Sequence, residues 1–182
     1  MMAIQTIISE IQTVLQKVDE EAIRRFAENL AAGKRIFVIG EGRSGLMAKS
    51  FAMRLMHLGA VVFVVGETIT PSIQKNDILV AVSGSGKTKQ VVWTAEKAKE
   101  LGSYIIGVTT NPESPLGQKV DEMVHVSAAT KYRSDGEAES IQPLGSLFDQ
   151  CVHVLFDTIC LHYASLTENG NDAAFKRHSN LE

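Results

Sequence analysis

Hydroxyls and glycines gather at two places where an apolar run of the chain stops. Ile36–Ile39 opens into Gly40-Glu41-Gly42-Arg43-Ser44-Gly45, and Ile78–Val82 opens into Ser83-Gly84-Ser85-Gly86-Lys87-Thr88. A helical pattern follows each turn. A short buried strand that passes through glycine into a helix presents backbone N–H groups to an anion, with the positive end of the helix behind them. Small hydroxyl side chains suit a phosphate. Ser44 in the first turn and Ser83, Ser85 and Thr88 in the second are the expected donors, and Gly42, Gly84 and Gly86 let the backbone approach. One such turn could be explained by helix-capping serines alone. Two of them, about forty residues apart, are expected at one end of a single parallel sheet, around one ligand.

Two other readings of these turns compete. Gly40-x-Gly42-x-x-Gly45 formally matches the dinucleotide fingerprint, and Glu67 lies past the second strand where a ribose-binding acid would stand. A nicotinamide site has no need of a second serine-rich turn. Gly86-Lys87-Thr88 resembles the end of a P-loop, but the position five residues before Gly86 holds Ala81 rather than glycine. Ser83–Gly86 is also too short to wrap a β-phosphate. A monophosphate fits best.

These turns must be held by strands and helices, and the chain has the material for them. Its 182 residues, 45% hydrophobic and 21% charged, suit one α/β domain with a sizeable core. Ile4, Ile7, Ile8, Ile11, Val14, Leu15 and Val18 give an amphipathic first helix whose stripe fits either its own domain or a subunit contact. Asp19 caps a second helix, Glu20 to Ala32, which Gly33 ends. Strands are expected at 35–39, 61–65 (buried), 78–82, 104–109 and 123–126, and helices at 44–58, 87–101 and from Pro143 to Tyr163. Pro115 is placed to open a short helix, and 165–182 reads as a loose polar tail. Strands alternating with helices make a parallel sheet covered on both faces, with the ligand beyond the carboxyl ends of the strands at the topological switch point.

Net charge of −3 with no basic block argues against nucleic acid or an anionic membrane as partner. No apolar run approaches the ~20 residues that span a bilayer. Met1–Glu10 lacks the marks of a signal peptide. Cys151 and Cys160, nine apart in one expected helix, suit neither a disulfide nor a CxxC metal site and should be reduced and buried. A cytoplasmic protein is expected, with no metal and no cofactor.

Taken together, Val82-Ser83-Gly84-Ser85-Gly86 with Thr88, and the first turn Gly40–Gly45, resemble the SIS (sugar isomerase) family of phosphosugar domains from about Lys34 to the C-terminus. The runs Met53–Gly59, Glu139–Asp149 and Arg177–Glu182 resemble, within that family, the isomerases of hexulose 6-phosphate. The resemblance implies one domain over residues 1–182, built as a three-layer sandwich of flavodoxin-like, doubly wound type around a five-stranded parallel sheet. It implies a homotetramer with active sites shared between subunits, residues 1–33 making oligomer contacts and the 165–182 tail reaching a site. It further implies conversion of 3-hexulose 6-phosphate to fructose 6-phosphate, within the ribulose monophosphate route of formaldehyde fixation. Related isomerases carry a His-Gly-Asp element after the second strand. Thr70–Asp77 stands there in this chain, so no histidine carries over.

Moving a carbonyl from C3 to C2 through an enediol needs a base, a proton route between two oxygens and donors for the enediolate, with no redox group or metal. Glu139 is the candidate base, expected between a polar loop and a buried helix where burial raises proton affinity; a helix-start charge is its ordinary explanation, and Glu137 is its neighbour in type. His178, by resemblance, opens the ring or shuttles a proton, although on sequence alone it reads as a solvated terminal histidine. Arg43 is placed to stabilise the enediolate or a sugar oxygen. His57 reads as packing or helix-end charge, and His125, His153 and His162 as structural; Lys87 adds only potential. A phosphosugar sensor on the same fold is the rival from another class, and so is an isomerase of a pentose or heptose phosphate. The 34 or so residues before the first strand are mildly acidic and too few for a helix-turn-helix domain.

Overall fold

The computed structural model describes residues 2–181; Met1 and Glu182, the ends of the expected domain and tail, lie outside the described residues. The elements run α1 (Ala3–Leu15), α2 (Glu20–Ala32), β1 (Ile36–Gly40), α3 (Gly42–His57), β2 (Val62–Val64), β3 (Ile78–Val82), α4 (Lys89–Glu100), β4 (Tyr104–Thr109), β5 (Glu122–His125), α5 (Ser146–Leu166) and α6 (Asn171–Lys176). The five strands form one sheet in the order β2-β1-β3-β4-β5, and every pairing is parallel. The order reverses between β1 and β3, which is the switch point.

Alternation along the central strands sends side chains to two cores. Ile36, Val38, Val80, Val82, Ile106 and Val108 point to the face covered by α1, α2, α3 and α5, where Phe26, Phe51 and Phe156 meet. Phe37, Ile39, Leu79, Ala81 and Ile105 point to the other face, under α4. Three layers result. The two faces are covered unequally because β2 reaches β3 through residues 65–77 without a helix. Asp19 caps α2 by accepting from the N–H of Glu21 at 3.0 Å, as its position implied.

Several expectations are corrected. β2 is not a buried strand: it pairs only with β1 and its three residues are half-buried, because it is an edge. Helix α5 starts at Ser146 rather than Pro143, since Leu144 takes φ +54°, which breaks the right-handed path for a residue with a side chain. No helix opens at Pro115; residues 112–119 form turns. The tail is not loose in its first part. It forms α6 and docks on the end of α3, where Arg177 Nη1 donates to the carbonyl of His57 at 3.2 Å and so satisfies a helix-terminal acceptor. On α1, Val14 is buried and Ile11 and Leu15 pack on the core, while Ile4 and Ile8 stay 71% and 58% exposed. The stripe therefore serves its own domain and still leaves an outer edge. Cys151 and Cys160 are buried free thiols, pushed up to about 12 by burial. No helix among the described residues is long and apolar enough to cross a membrane.

Candidate functional site

Both glycine turns leave neighbouring strands at the same level, because Gly40 of β1 pairs with Val82 of β3. Adjacent strands lie about 4.8 Å apart, so the turns begin side by side. Gly40 and Gly45 let α3 close down on β1: a Cβ on Gly45 would meet the Gly40 carbonyl oxygen at 2.6 Å. The glycine spacing that matched a dinucleotide fingerprint thus has a packing cause. Glu67, the ribose-binding candidate, is exposed and paired with Lys49 at 2.7 Å.

The first helical bond at the start of α3 runs from Gly45 N–H to Glu41 O at 3.2 Å, which leaves the N–H groups before it as the unsatisfied donors of a helix start. Gly42 takes φ +57° at the tip of this turn. In the second turn, Ser83 is buried and shares a 2.9 Å hydrogen bond with Thr88, while Ser85 Oγ accepts from Lys87 N–H at 3.2 Å. Gly86 takes φ +61° directly above the Ser114 side chain, where no other residue would fit. The Gly84 carbonyl accepts from the Thr109 and Thr110 hydroxyls and from Thr110 N–H, all within 3.1 Å, which ties the loop to the end of β4. Ser44, Ser83, Ser85, Thr88, Gly42, Gly84 and Gly86 therefore share one end of the sheet. Lys87 is exposed at the rim.

A third segment completes the mouth. The start of α5 inserts between the turns, with Phe148 against Gly84 and Asp149 against the first turn. Asp149 is only 4% exposed; its Oδ1 accepts from Ser44 Oγ at 2.8 Å, and its Oδ2 lies 3.2 Å from Arg43 Nε. Arg43 also donates to Ser146 Oγ at 3.3 Å. Burial pushes the Asp149 carboxyl up, against the opposing pull of Ser44 and Arg43. Sequence reasoning missed Asp149. The available signal was an acid in the first turn of α5 among the apolar positions Leu147, Phe148, Cys151 and Val152.

The two glutamates part company. Glu137 accepts from Thr130 N–H and from the Thr130 hydroxyl, both at 2.7 Å, and lies 3.2 Å from the Thr110 hydroxyl, whose one proton is divided between it and the Gly84 carbonyl; it thus closes the loop after β5. Glu139 is exposed rather than buried and precedes α5 by seven residues. The three residues after it are held nevertheless. Glu10 of α1 accepts from Ser140 Oγ, Ile141 N–H and Gln142 Nε2 within 3.1 Å. Burial alone would raise Glu10, but these three donors and the charge of Arg133 hold it below the usual carboxylate range.

His178 lies elsewhere. Its ring stacks on His57 at 5.2 Å and 20°, at the far end of α3. Ser44 and His57 are separated by thirteen helical steps, about 20 Å, so the chain does not bring its own His178 to its glycine turns. His57 is 4% exposed, its Nδ1 has no hydrogen-bond partner among the described residues, and burial, with the charges of Arg54 and His178, pulls its pKa down. Among the other histidines, Nε2 of His125 bonds with the Thr110 carbonyl at 2.9 Å, and His153 lies 3.7 Å from Asp157. No group of three or more His, Cys, Asp or Glu among the described residues could hold a metal ion.

Known proteins share this arrangement. The SIS domain model matches residues 29–154, a span that begins before β1 and takes in both turns and the start of α5. A 3-hexulose-6-phosphate isomerase of Bacillus subtilis is 38% identical over 176 residues, covering 97% of this chain and 95% of that one. One of Mycobacterium gastri is 42% identical over 173 residues, covering 95% and 86%. A Methanococcus jannaschii protein, whose crystal structure infers a molecular function of 3-hexulose-6-phosphate isomerase, superposes with a TM-score of 0.85 at 29% identity over 98% of both chains. With the parallel sheet, the paired turns and relatives matched over almost their whole length, the chain belongs to the SIS domain family.

Proposed function

We propose that the protein is a ketose phosphate isomerase interconverting 3-hexulose 6-phosphate and fructose 6-phosphate. The observation that carries this reading is identity of 38–42% to relatives of that name over nearly the full length of both chains. The geometry supports it: two adjacent turns offer helix-start N–H groups and hydroxyls to a phosphate, beneath a guanidinium held at the mouth. The phosphate does not react, so it anchors C6 while chemistry proceeds at C2 and C3.

In that reading Glu139 takes the proton from C2, the electron pair moves through the C2–C3 bond onto O3, and a cis-enediol forms. Return of the proton to C3, with loss of the O2 proton, leaves the carbonyl at C2. Arg43 stabilises the enediolate, and His178 moves protons between the oxygens. What supports a shared site is the 20 Å between a chain's own turns and its own His178, together with the apolar edge that Ile4 and Ile8 leave on α1. A homotetramer with sites completed in trans, acting in the ribulose monophosphate route in the cytoplasm, is the finer form of the proposal. No cofactor enters it.

The test is direct. Purified protein supplied with 3-hexulose 6-phosphate should generate fructose 6-phosphate in a coupled assay. Binding of both sugar phosphates without turnover would instead make the chain a sensor.

A further inference from the structure

Among the described residues Asp149 is the one buried acid at the mouth of the turns, and the proposed reaction gives it nothing to do. It sits in the first turn of α5, a helix whose neighbouring positions Leu147, Phe148, Cys151 and Val152 are all buried and apolar. A buried carboxylate there is costly unless paired, and a packed hydrophobic side chain would usually serve stability as well or better. Its two oxygens are used on two side chains of the first turn: Oδ1 accepts the Ser44 hydroxyl proton, and Oδ2 faces Arg43 Nε. Ser146, one turn earlier on the same helix, takes Arg43 Nη1.

The consequence for Arg43 is specific. A long, 60% exposed side chain at a helix start would otherwise sample many rotamers. Two contacts, one through Nε and one through Nη1, hold the guanidinium, and Nη2 has no partner among the described residues. We infer that Asp149 is a positioning residue: it holds the Arg43 guanidinium over the glycine turns with Nη2 left for a ligand, and it takes the Ser44 proton in a hydrogen bond. This inference deepens the proposed isomerase and rests on its assignment of Arg43. Misplacing a catalytic group by about 1 Å can cost on the order of 100-fold in rate, so an effect through Arg43 should appear chiefly in turnover.

Asp149→Asn keeps the shape and an acceptor for Ser44 but removes the charge facing Arg43. It should lower kcat by about 10- to 100-fold while KM stays within about threefold, and Asp149→Glu should restore part of the loss. The decisive reading is a double-mutant cycle with Arg43→Ala. If Asp149 acts through Arg43, the double variant is no slower than Arg43→Ala alone; independent losses would multiply. Asp149→Leu should remain folded, with an unfolding midpoint at or above that of wild type, and should be equally slow. Wild-type kcat in Asp149→Asn, multiplying losses, or a collapse of stability in Asp149→Leu with unchanged turnover in Asp149→Asn would each overturn the inference. A readout free of turnover separates it from the substrate reading. The Arg43 side-chain Nε should show restricted motion by 15N relaxation in wild type and greater motion in Asp149→Asn. Equal mobility in both would defeat the inference, whereas failure of wild type to convert 3-hexulose 6-phosphate would defeat only the substrate reading.

Discussion

Ser83 and Ser85 differ in how their hydroxyls are used, yet both stand at the same end of the sheet, in the second glycine turn. Ser85 Oγ accepts from Lys87 N–H and so keeps its own proton to donate, while Ser83 and Thr88 share one hydrogen bond in which either hydroxyl can be the donor. A hydrogen bond to a charged group contributes about 1.5–3 kcal/mol, so Ser83→Ala and Ser85→Ala should each raise KM about tenfold or more before kcat falls. Steady-state kinetics decide this, and unchanged KM with lost turnover would remove the phosphate assignment. Glu139→Gln should lose about 100- to 10,000-fold in kcat while a non-reacting sugar phosphate still binds. Solvent deuterium entering C2 of recovered substrate at the wild-type rate in this variant would transfer the base role to another group. His57 carries a pH signature. Its folded pKa is depressed below 6.5, so the unfolded chain binds more protons between that lowered value and 6.5. Stability from this residue is complete above pH 6.5 and is lost as pH falls through the lowered folded value. Urea midpoints measured at pH 7.5 and 5.5 should fall further for wild type than for His57→Gln.

At the scale of elements, most of the fold was legible because local rules and burial agreed. Asp19 and Gly33 bounded α2, and the β-branched runs 78–82 and 104–109 became strands with those limits. Disagreement arose where a neighbour decides. β2 reads as a core strand from its valines, yet only one strand flanks it. Leu144 reads as part of a helix, yet the chain must turn with positive φ before α5 can enter between the glycine turns. The glycines show the same dependence. Gly45 is required by contact with Gly40 rather than by a ligand, so Gly45→Ala should cost about 1–3 kcal/mol of stability through overpacking. Denaturant unfolding would show this as a lower midpoint with an unchanged slope, and a midpoint equal to wild type would mean that β1 and α3 separate freely.

At the scale of the whole molecule, α3 acts as a ruler. Its start carries Ser44 and its end carries His57 with His178 stacked on it, so one chain displays the two halves of the proposed site at opposite ends of a helix. If a neighbour supplies the missing half, two inactive proteins can complement each other. Ser83→Ala/Ser85→Ala/Glu139→Gln subunits mixed and reassembled with His178→Ala subunits should recover a fraction of wild-type activity, because some hybrid sites combine two intact halves. Hybrid oligomers seen by mass spectrometry without activity would place His178 in its own chain's site or outside catalysis.

The chain by itself determined the five strands, the helices between them and the two glycine turns, since apolar period, β-branching and glycine position are local properties that tertiary packing here reinforced. It also carried the resemblance in the runs Glu139–Asp149 and Arg177–Glu182, though not what those runs touch. Only the tertiary structure decided that Asp149 clasps Ser44 and Arg43 across 105 and 106 positions of chain, that Glu137 is spent on Thr130 and Thr110 while Glu139 faces outward, and that the tail docks away from its own turns. Each of these depends on which groups meet after the sheet has formed, and a buried charge or a stacked ring has no signature in spacing until its partner is in place.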